Sequence, residues 1–426
     1  MIGQTNSKIG DKINGVIKEY VAKTDNTITK GDFVSQDVFT AYGGSAISPD
    51  DFRPTANFLR PVVVGIDATR FVIIYYVASQ HISARVGVVD NATITYQTAI
   101  SIDNLACSYI SADKIDDNKI LVMFCENNTT SKCVILTING DNTITIGTLS
   151  TFKSARTRDN KLKTIGTNKI IMHYSYLSGT WISTYLVATI SGDTITYGTE
   201  ASGNISTSNT AYNDIDFGVL ETDKILCVYS NSSNQGDGVI LSISGTTITV
   251  NTVYNLTTND IYYTNIIIKD SSTAYLIYIN STATSRVKYV KITISGTTIS
   301  YGTETNLYTN DTGTEVYAIK YTDNRFGVNS CGGASRYYWQ IELLSDSLDI
   351  SSPITVSGVI YQQTMSILLE GTIIKSYING SGPFNQYAQI LRASTYKLIN
   401  YNSNFNILGV AKTSGSAGDT IKVYVP

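Results

Sequence analysis

Two histidines, five cysteines and a scatter of aspartates are the side chains of this 426-residue chain best suited to catalysis. Catalysis would need a nucleophile with a base, a metal shell, or an acid–base pair held in one pocket. His81 stands beside a polar loop and His173 lies inside the apolar run Ile170–Tyr174. Neither belongs to the H-x-x-x-H or H-E-x-x-H patterns of zinc sites, and a satisfied structural role is preferred for both. Cys107, Cys125, Cys133, Cys227 and Cys331 are odd in number and widely spaced. Cys125 and Cys133 could face each other across a hairpin as a disulfide or metal pair; small apolar strand residues in a reducing compartment are the preferred reading. The acidic stretch Asp113–Asn118 lacks the D-x-[DN]-x-[DN]-G pattern of a calcium loop and reads as a hairpin turn. No G-x-S-x-G, phosphate loop or dinucleotide fingerprint is present, so no cofactor and no metal is expected.

Glycoside hydrolysis is the enzyme alternative that needs weighing. It needs only two carboxylates, and Asp103, Asp159, Asp214, Asp216, Asp260 and Asp311 all fall near predicted connections between repeats. The repeated S-x-D-x-G-x-x-W turns of sialidase-like folds are absent, which favours binding over turnover. For binding, the candidates are aromatic. Tyr176, Trp181 and Phe384 stand in or beside polar loops such as Ser175–Thr180 and Asn379–Asn385, and Tyr212, Tyr262, Tyr263 and Tyr308 in longer connections. Rings flanked by Asn, Ser and Thr suit a sugar, whose C–H face stacks while short polar groups bond its hydroxyls.

The elements that must position these residues repeat. A hydrophobic run recurs as Phe71–Tyr75, Ile120–Phe124, Ile170–Tyr174, Ile225–Tyr229, Ala274–Tyr278, Phe326–Ser330 and Ile373–Tyr377, ending in an aromatic in six of the seven copies. The period is about 50 residues, long enough for a four-stranded supersecondary unit. Arg70, Lys119, Lys169, Lys224 and Arg325 precede five of these runs and are expected at solvated or turn-pairing positions on one rim. Tight turns keep the same beat at Asp90-Asn91, Gly140–Asn142, Gly192-Asp193, Gly245-Thr246, Gly296-Thr297 and Ser345-Asp346, with a degenerate copy near Thr395–Leu398. Asn, Asp and Gly tolerate the positive φ such turns need. The second copy parses as strands Cys107–Ile115, Lys119–Cys125, Lys132–Ile138 and Thr143–Thr151. Four-stranded meanders bury both faces when arranged radially. An all-β fold is expected: a seven-bladed β-propeller over residues 51–400.

Composition agrees. Charged residues make up 15% against 42% hydrophobic, and thirty tyrosines accompany many β-branched residues, which favours pleated strands. With net charge −3 and no basic run, a grip on nucleic acid is not expected. No run approaches 18 apolar residues, so no membrane span is expected, and the first residues lack the apolar core of a signal peptide.

The ends fall outside the period yet resemble each other. Val21-Ala22-Lys23-Thr24 is followed by Gly31-Asp32-Phe33-Val34, and Gly409-Val410-Ala411-Lys412-Thr413 by Gly418-Asp419-Thr420-Ile421. Residues 1–50 and 401–426 are expected to form one small β-barrel-like domain into which the propeller is inserted. Both segments resemble the terminal patterns of small β-domains in bacteriophage virion proteins, such as head-decoration and fibre proteins. The resemblance implies a non-enzymatic virion structural protein, fastened to capsid or tail proteins through Gly31, Asp32, Phe33, Gly409, Val410, Gly418 and Asp419. It would be present as a homo-oligomer or in multiple copies, its propeller displayed for host-surface or glycan binding. The alternative is a propeller glycoside hydrolase acting on cell-surface polysaccharide.

Overall fold

The computed structural model describes residues 3–6, 16–21, 33–34, 40–41, 45–46, 61–77, 81–90, 93–202, 215–280, 286–307, 315–322, 325–332, 335–343, 348–350, 354–357, 360–369, 372–379, 386–392, 409–411 and 420–425. All regular structure among them is β, and no helix is long and apolar enough to cross a membrane. The chain divides into two units, Met1–Thr40 with Ser351–Pro353 and Arg392–Pro426, and Ala41–Ile350 with Ile354–Leu391.

In the smaller unit, strands from both ends share one sheet. Its order is Gly3–Asn6, Val16–Val21, Thr420–Val425, Gly409–Ala411 and Phe33–Val34. Val16 pairs with Val425 and Val21 with Thr420, while Phe33 pairs with Val410 and Val410 in turn with Tyr424.

The larger unit is a succession of antiparallel meanders. The first runs Val62–Gly65, Arg70–Tyr76, Ile82–Asp90 and Thr93–Tyr96, and the second begins Cys107–Asp116, Lys119–Glu126 and Thr130–Ile138. The third begins Thr157–Gly166, Lys169–Ser178 and Thr180–Ser191; the fourth, Ile215–Glu221, Lys224–Ser230 and Gln235–Ser244. One 24-residue strand, Thr247–Asp270, closes the fourth meander and opens the fifth, joining them into one eight-stranded sheet. The sixth opens with Glu315–Thr322 and the last with Ile360–Leu369. The first strand of each meander lies against the first strand of the next, and Ile360–Leu369 lies against Val62–Gly65, so the contacts form a closed circuit. In the last meander, Gln386–Arg392 pairs with Ser45–Ala46 from the other end of the chain.

Continuous apolar runs arise because each second strand is covered on both faces. Val72, Ile74 and Tyr76 pack with Ile120, Val122 and Phe124 of the second meander, while Phe71, Ile73 and Tyr75 face the other way. Leu121, Met123 and Cys133 meet Ile170, Met172 and Tyr174; Ile171 and Tyr185 meet Ile225, Cys227 and Tyr229. Strand alternation thus sends successive residues into two different inter-sheet cores. Each fully buried aliphatic or Phe side chain contributes about 1.5–3 kcal/mol.

The first strands are sheet edges, and side chains of the preceding meander satisfy their free N–H groups. Asp113 Oδ2 accepts from Thr164 N at 2.8 Å, Asp216 Oδ2 from Ile266 N at 2.8 Å, and Asn265 Oδ1 from Ala318 N at 3.0 Å. The expected turn-pairing of the basic residues takes a specific form. Arg70 Nη1 donates to Asn142 Oδ1 at 3.1 Å, and Lys119 Nζ to Gly192 O and Asp193 Oδ1 at 3.1 and 2.8 Å. Each cation reaches the hairpin turn of the next meander.

Two details differ from the sequence reading. The fourth strand expected at Thr143–Thr151 is two short strands, Ile144–Ile146 and Ser150–Lys153, both paired with Thr130–Ile138. Gly147 separates them; its N–H bonds Ile135 O at 2.8 Å, so close that a Cβ would stand 3.0 Å from that oxygen. The six-residue loop expected at Ser175–Thr180 is instead paired strand up to Ser178↔Thr180, turned at Gly179 with φ +75°. The turns expected at Ser345-Asp346, Asn91 and Thr395–Leu398 lie outside the described residues.

Candidate functional site

That extended hairpin of the third meander presents Trp181. Its register pairs Leu177 with Trp181 and Tyr176 with Ile182. Opposed residues share a face and successive ones alternate, so Tyr176 and Trp181 lie on opposite faces. The joint platform expected of them does not form.

On Tyr176's face, Lys153 Nζ sits 3.8 Å from the ring centroid, and the Tyr174 and Phe152 rings meet at a tilt of 57° with centroids 5.0 Å apart. Glu200 ties this face together, accepting from Tyr174 Oη at 2.7 Å and from Lys153 Nζ at 2.8 Å. The same device recurs two meanders on, where Glu304 accepts from Tyr278 Oη and from Asn259 Nδ2 at 3.0 Å. In the third and fifth meanders the aromatic that ends the apolar run is therefore anchored by a structural hydrogen bond. Tyr176 and Tyr174 belong to the core between second and third meanders.

On the other face, the Arg158 guanidinium lies 4.1 Å from the Trp181 ring centroid and that of Arg156 5.7 Å away. Arg158 Nε pairs with Asp159 Oδ2 at 3.1 Å. Arg156 hydrogen bonds Tyr109, from the first strand of the second meander. Leu177 N bonds Arg156 O at 3.1 Å, fixing the hairpin to the arginine segment, and Leu177 itself is 42% exposed. Tyr109, Arg156 and Trp181 are half-buried. Beneath them His173 is enclosed: Nδ1 lies 3.1 Å from Asp159 O and Nε2 2.8 Å from Ser183 Oγ. Burial lowers its pKa to about 4, so it is a neutral structural imidazole at neutral pH. Burial pushes the Asp159 carboxyl up to about 6 against the pull of Arg158.

Asp159 also holds a left-handed backbone, φ 55°, as do Tyr109 at 54° and Tyr263 at 55°. All three stand where first strands slip register, between Arg158 and Lys161, Ser108 and Ser111, and Tyr262 and Asn265. A left-handed non-glycine costs about 1–2 kcal/mol, and the slip re-aims the residues around it. Sequence reading missed Tyr109, Arg156 and Arg158; the alternating Arg156-Thr157-Arg158 in a chain this poor in charge was their signal. Tyr262 and Tyr263, expected in a loose connection, lie within the long strand Thr247–Asp270 and pack on the core shared by the fifth and sixth meanders. Tyr212, Tyr308, Phe384, Gly31, Asp32, Gly418 and Asp419 lie outside the described residues, whereas Phe33, Gly409 and Val410 are in the terminal sheet.

Among the carboxylates considered for hydrolysis, Asp103, Asp159 and Asp216 are engaged. Buried Asp103 accepts from Leu105 N at 2.8 Å and lies beside buried Glu126, which ion-pairs with Lys132; desolvation and that neighbour raise the Asp103 pKa. Asp216 is held by Lys161 Nζ at 2.8 Å besides Ile266 N. Asp260 sits opposite Gln235 in the sheet ladder, and Asp214 and Asp311 lie outside the described residues. Cys107, Cys125, Cys133 and Cys227 are free and buried, so Cys125 and Cys133 form no disulfide. Burial pushes the Cys133 and Cys227 thiols up to about 12, far from nucleophilic thiolates. Among the described residues no three His, Cys, Asp or Glu side chains are grouped to hold a metal.

No protein-family model matches the chain, and no curated protein matches it in sequence. Solved structures resemble it in fold. A Bacteroides uniformis protein provisionally assigned as a 6-phosphogluconolactonase aligns with TM-score 0.53 at 10% identity, over 84% of this chain and 100% of its own. The fungal Aleuria aurantia lectin, described as a six-bladed β-propeller, gives 0.43 at 12% identity over 69% and 94%. Trypanosoma rangeli sialidase gives 0.43 at 10% over 73% and 58%. The first similarity is one of fold.

Proposed function

We propose that this chain is a virion structural protein without enzymatic activity: a seven-bladed β-propeller over residues 51–400, carried by a terminal domain of residues 1–50 and 401–426. The closed circuit of first strands supports the propeller, each meander serving as one blade. The virion assignment rests on one observation, the pairing of both chain ends in a single sheet. Those paired segments are the ones that resemble phage head-decoration and fibre domains, and they would fasten the protein to capsid or tail in multiple copies. Mass spectrometry and cryo-electron microscopy of purified particles test this. A seven-sheet ring on capsid or tail supports it, and particles lacking the polypeptide sink it.

The displayed face binds host-surface glycan in this reading, through Trp181 rather than through the wider set of aromatics. An indole beside polar groups suits the C–H face of a sugar. A glycan array probed with the full chain, alongside an assay for reducing ends released from bacterial cell-wall polysaccharide, separates the possibilities. Binding without release supports an adhesin. Sustained release would transfer the assignment to a glycoside hydrolase.

A further inference from the structure

We propose that Arg156, with Trp181 and Tyr109, forms a subsite for an anionic group on the bound glycan, a sugar carboxylate or phosphate. The inference rests on the glycan-binding reading above. Three cations stand over two rings in this region, and two of them are already neutralised. Lys153 over Tyr176 is paired with Glu200, and Arg158 over Trp181 is paired with Asp159. Arg156 differs. Among the described residues it has no carboxylate partner, its one polar side-chain contact is the neutral Tyr109, and its Nε, like that of Arg158, is buried with no hydrogen-bond acceptor. The cluster of Arg156, Arg158 and Asp159 therefore keeps one formal positive charge, half-buried beside an indole and a phenol.

A desolvated guanidinium nitrogen without an acceptor is costly and asks for an occupant. Arginine's fixed fork fits carboxylate and phosphate oxygens bidentately, and Tyr109 Oη supplies a further polar contact beside it. Trp181 would meet the apolar face of the same sugar. The pair Leu177 and Trp181 is held in the projecting part of the hairpin and Tyr109 lies in the strand Cys107–Asp116, while Arg156 directly precedes the strand Thr157–Gly166. Asn160, adjacent to Asp159, adds a second unmet demand. It is 8% exposed with both amide atoms lacking a partner.

Binding of the full chain is measured by calorimetry and indole fluorescence against oligogalacturonate, poly(glycerol phosphate), and neutral dextran and chitin oligomers. The expected result is at least tenfold tighter binding of one anionic probe than of the neutral ones, weakening as salt rises. Which anion binds tells sugar carboxylate from phosphate. Arg156→Gln should weaken that probe at least tenfold, and Arg156→Lys, which keeps the charge and guards against misfolding, should restore part of the loss. If neutral oligomers bind and anionic ones bind no better, or if Arg156→Gln leaves anion affinity unchanged, the anionic subsite is wrong while the glycan face stands. If no saccharide binds, the glycan face itself has failed.

Discussion

His173 and Asp159 make opposite demands on pH although they touch. His173 is neutral in the folded protein down to about pH 4, against an ordinary value of 6.5. Its contribution is complete above 6.5 and is lost as pH falls towards 4, because the unfolded chain then binds the extra proton. Asp159 titrates near 6 against an ordinary 3.8. Its contribution is complete below 3.8 and is lost as pH rises through 6. At about 1.4 kcal/mol per unit, each moves stability by about 3 kcal/mol. Between pH 4 and 6 the two slopes oppose and largely cancel. Urea denaturation at several pH values from 4 to 7 exposes them separately. His173→Gln should leave a protein that loses about 3 kcal/mol, relative to the parent, as pH rises from 4 to 6. Asp159→Asn should gain about as much over the same interval. Other titrating groups are common to all three proteins and drop out of the differences. Stability curves of both variants running parallel to the parent would refute the assignment of either proton.

Packing gives sharper tests of the sheets. Gly87 stands directly opposite Phe71, and a Cβ there would fall 2.2 Å from Phe71 Cζ; Gly87→Ala should cost about 1–3 kcal/mol by denaturation, with Phe71→Leu restoring part of it in the double variant. Asp113→Ala orphans Thr164 N at an inter-sheet edge and should cost about 1–3 kcal/mol, whereas Asp113→Asn keeps an acceptor and should cost less. Lys119→Met breaks the link to Asp193, whose side chain is 64% exposed. An exposed pair contributes under about 1 kcal/mol, so its melting temperature should move by no more than a few degrees.

The repeat was legible because two-faced burial forces continuous apolar runs, and because Gly192, Gly245 and Gly296 occupy the same left-handed turn position, φ 61° in each. The buried, bonded His173 and the hairpin at Asp113–Asn118 follow from the same local rules. The face of a strand residue was legible only once the turn was placed. With Gly179 as the pivot, Trp181 must oppose Leu177, and Tyr176 falls on the other side; reading Ser175–Thr180 as loop concealed this parity. The register slips at Tyr109, Asp159 and Tyr263 had no signal of their own, since none of the three is glycine and the strain is imposed by neighbouring sheets. Glu126 escaped notice as Asp103's partner because the two come together only when the second meander folds against the end of the first.

The pairing of Ser45 with Ala388 places a demand on synthesis. The two residues are some 340 positions apart, and at ordinary elongation rates the early one waits roughly 20–70 s on the ribosome for the late one. Through that interval the circuit is open, with the Phe71–Ile73–Tyr75 face of the first meander uncovered. An open β edge beside an apolar face invites pairing with another chain. Growth temperature and ribosome crowding would therefore weigh on the yield of this protein more heavily than on its final stability.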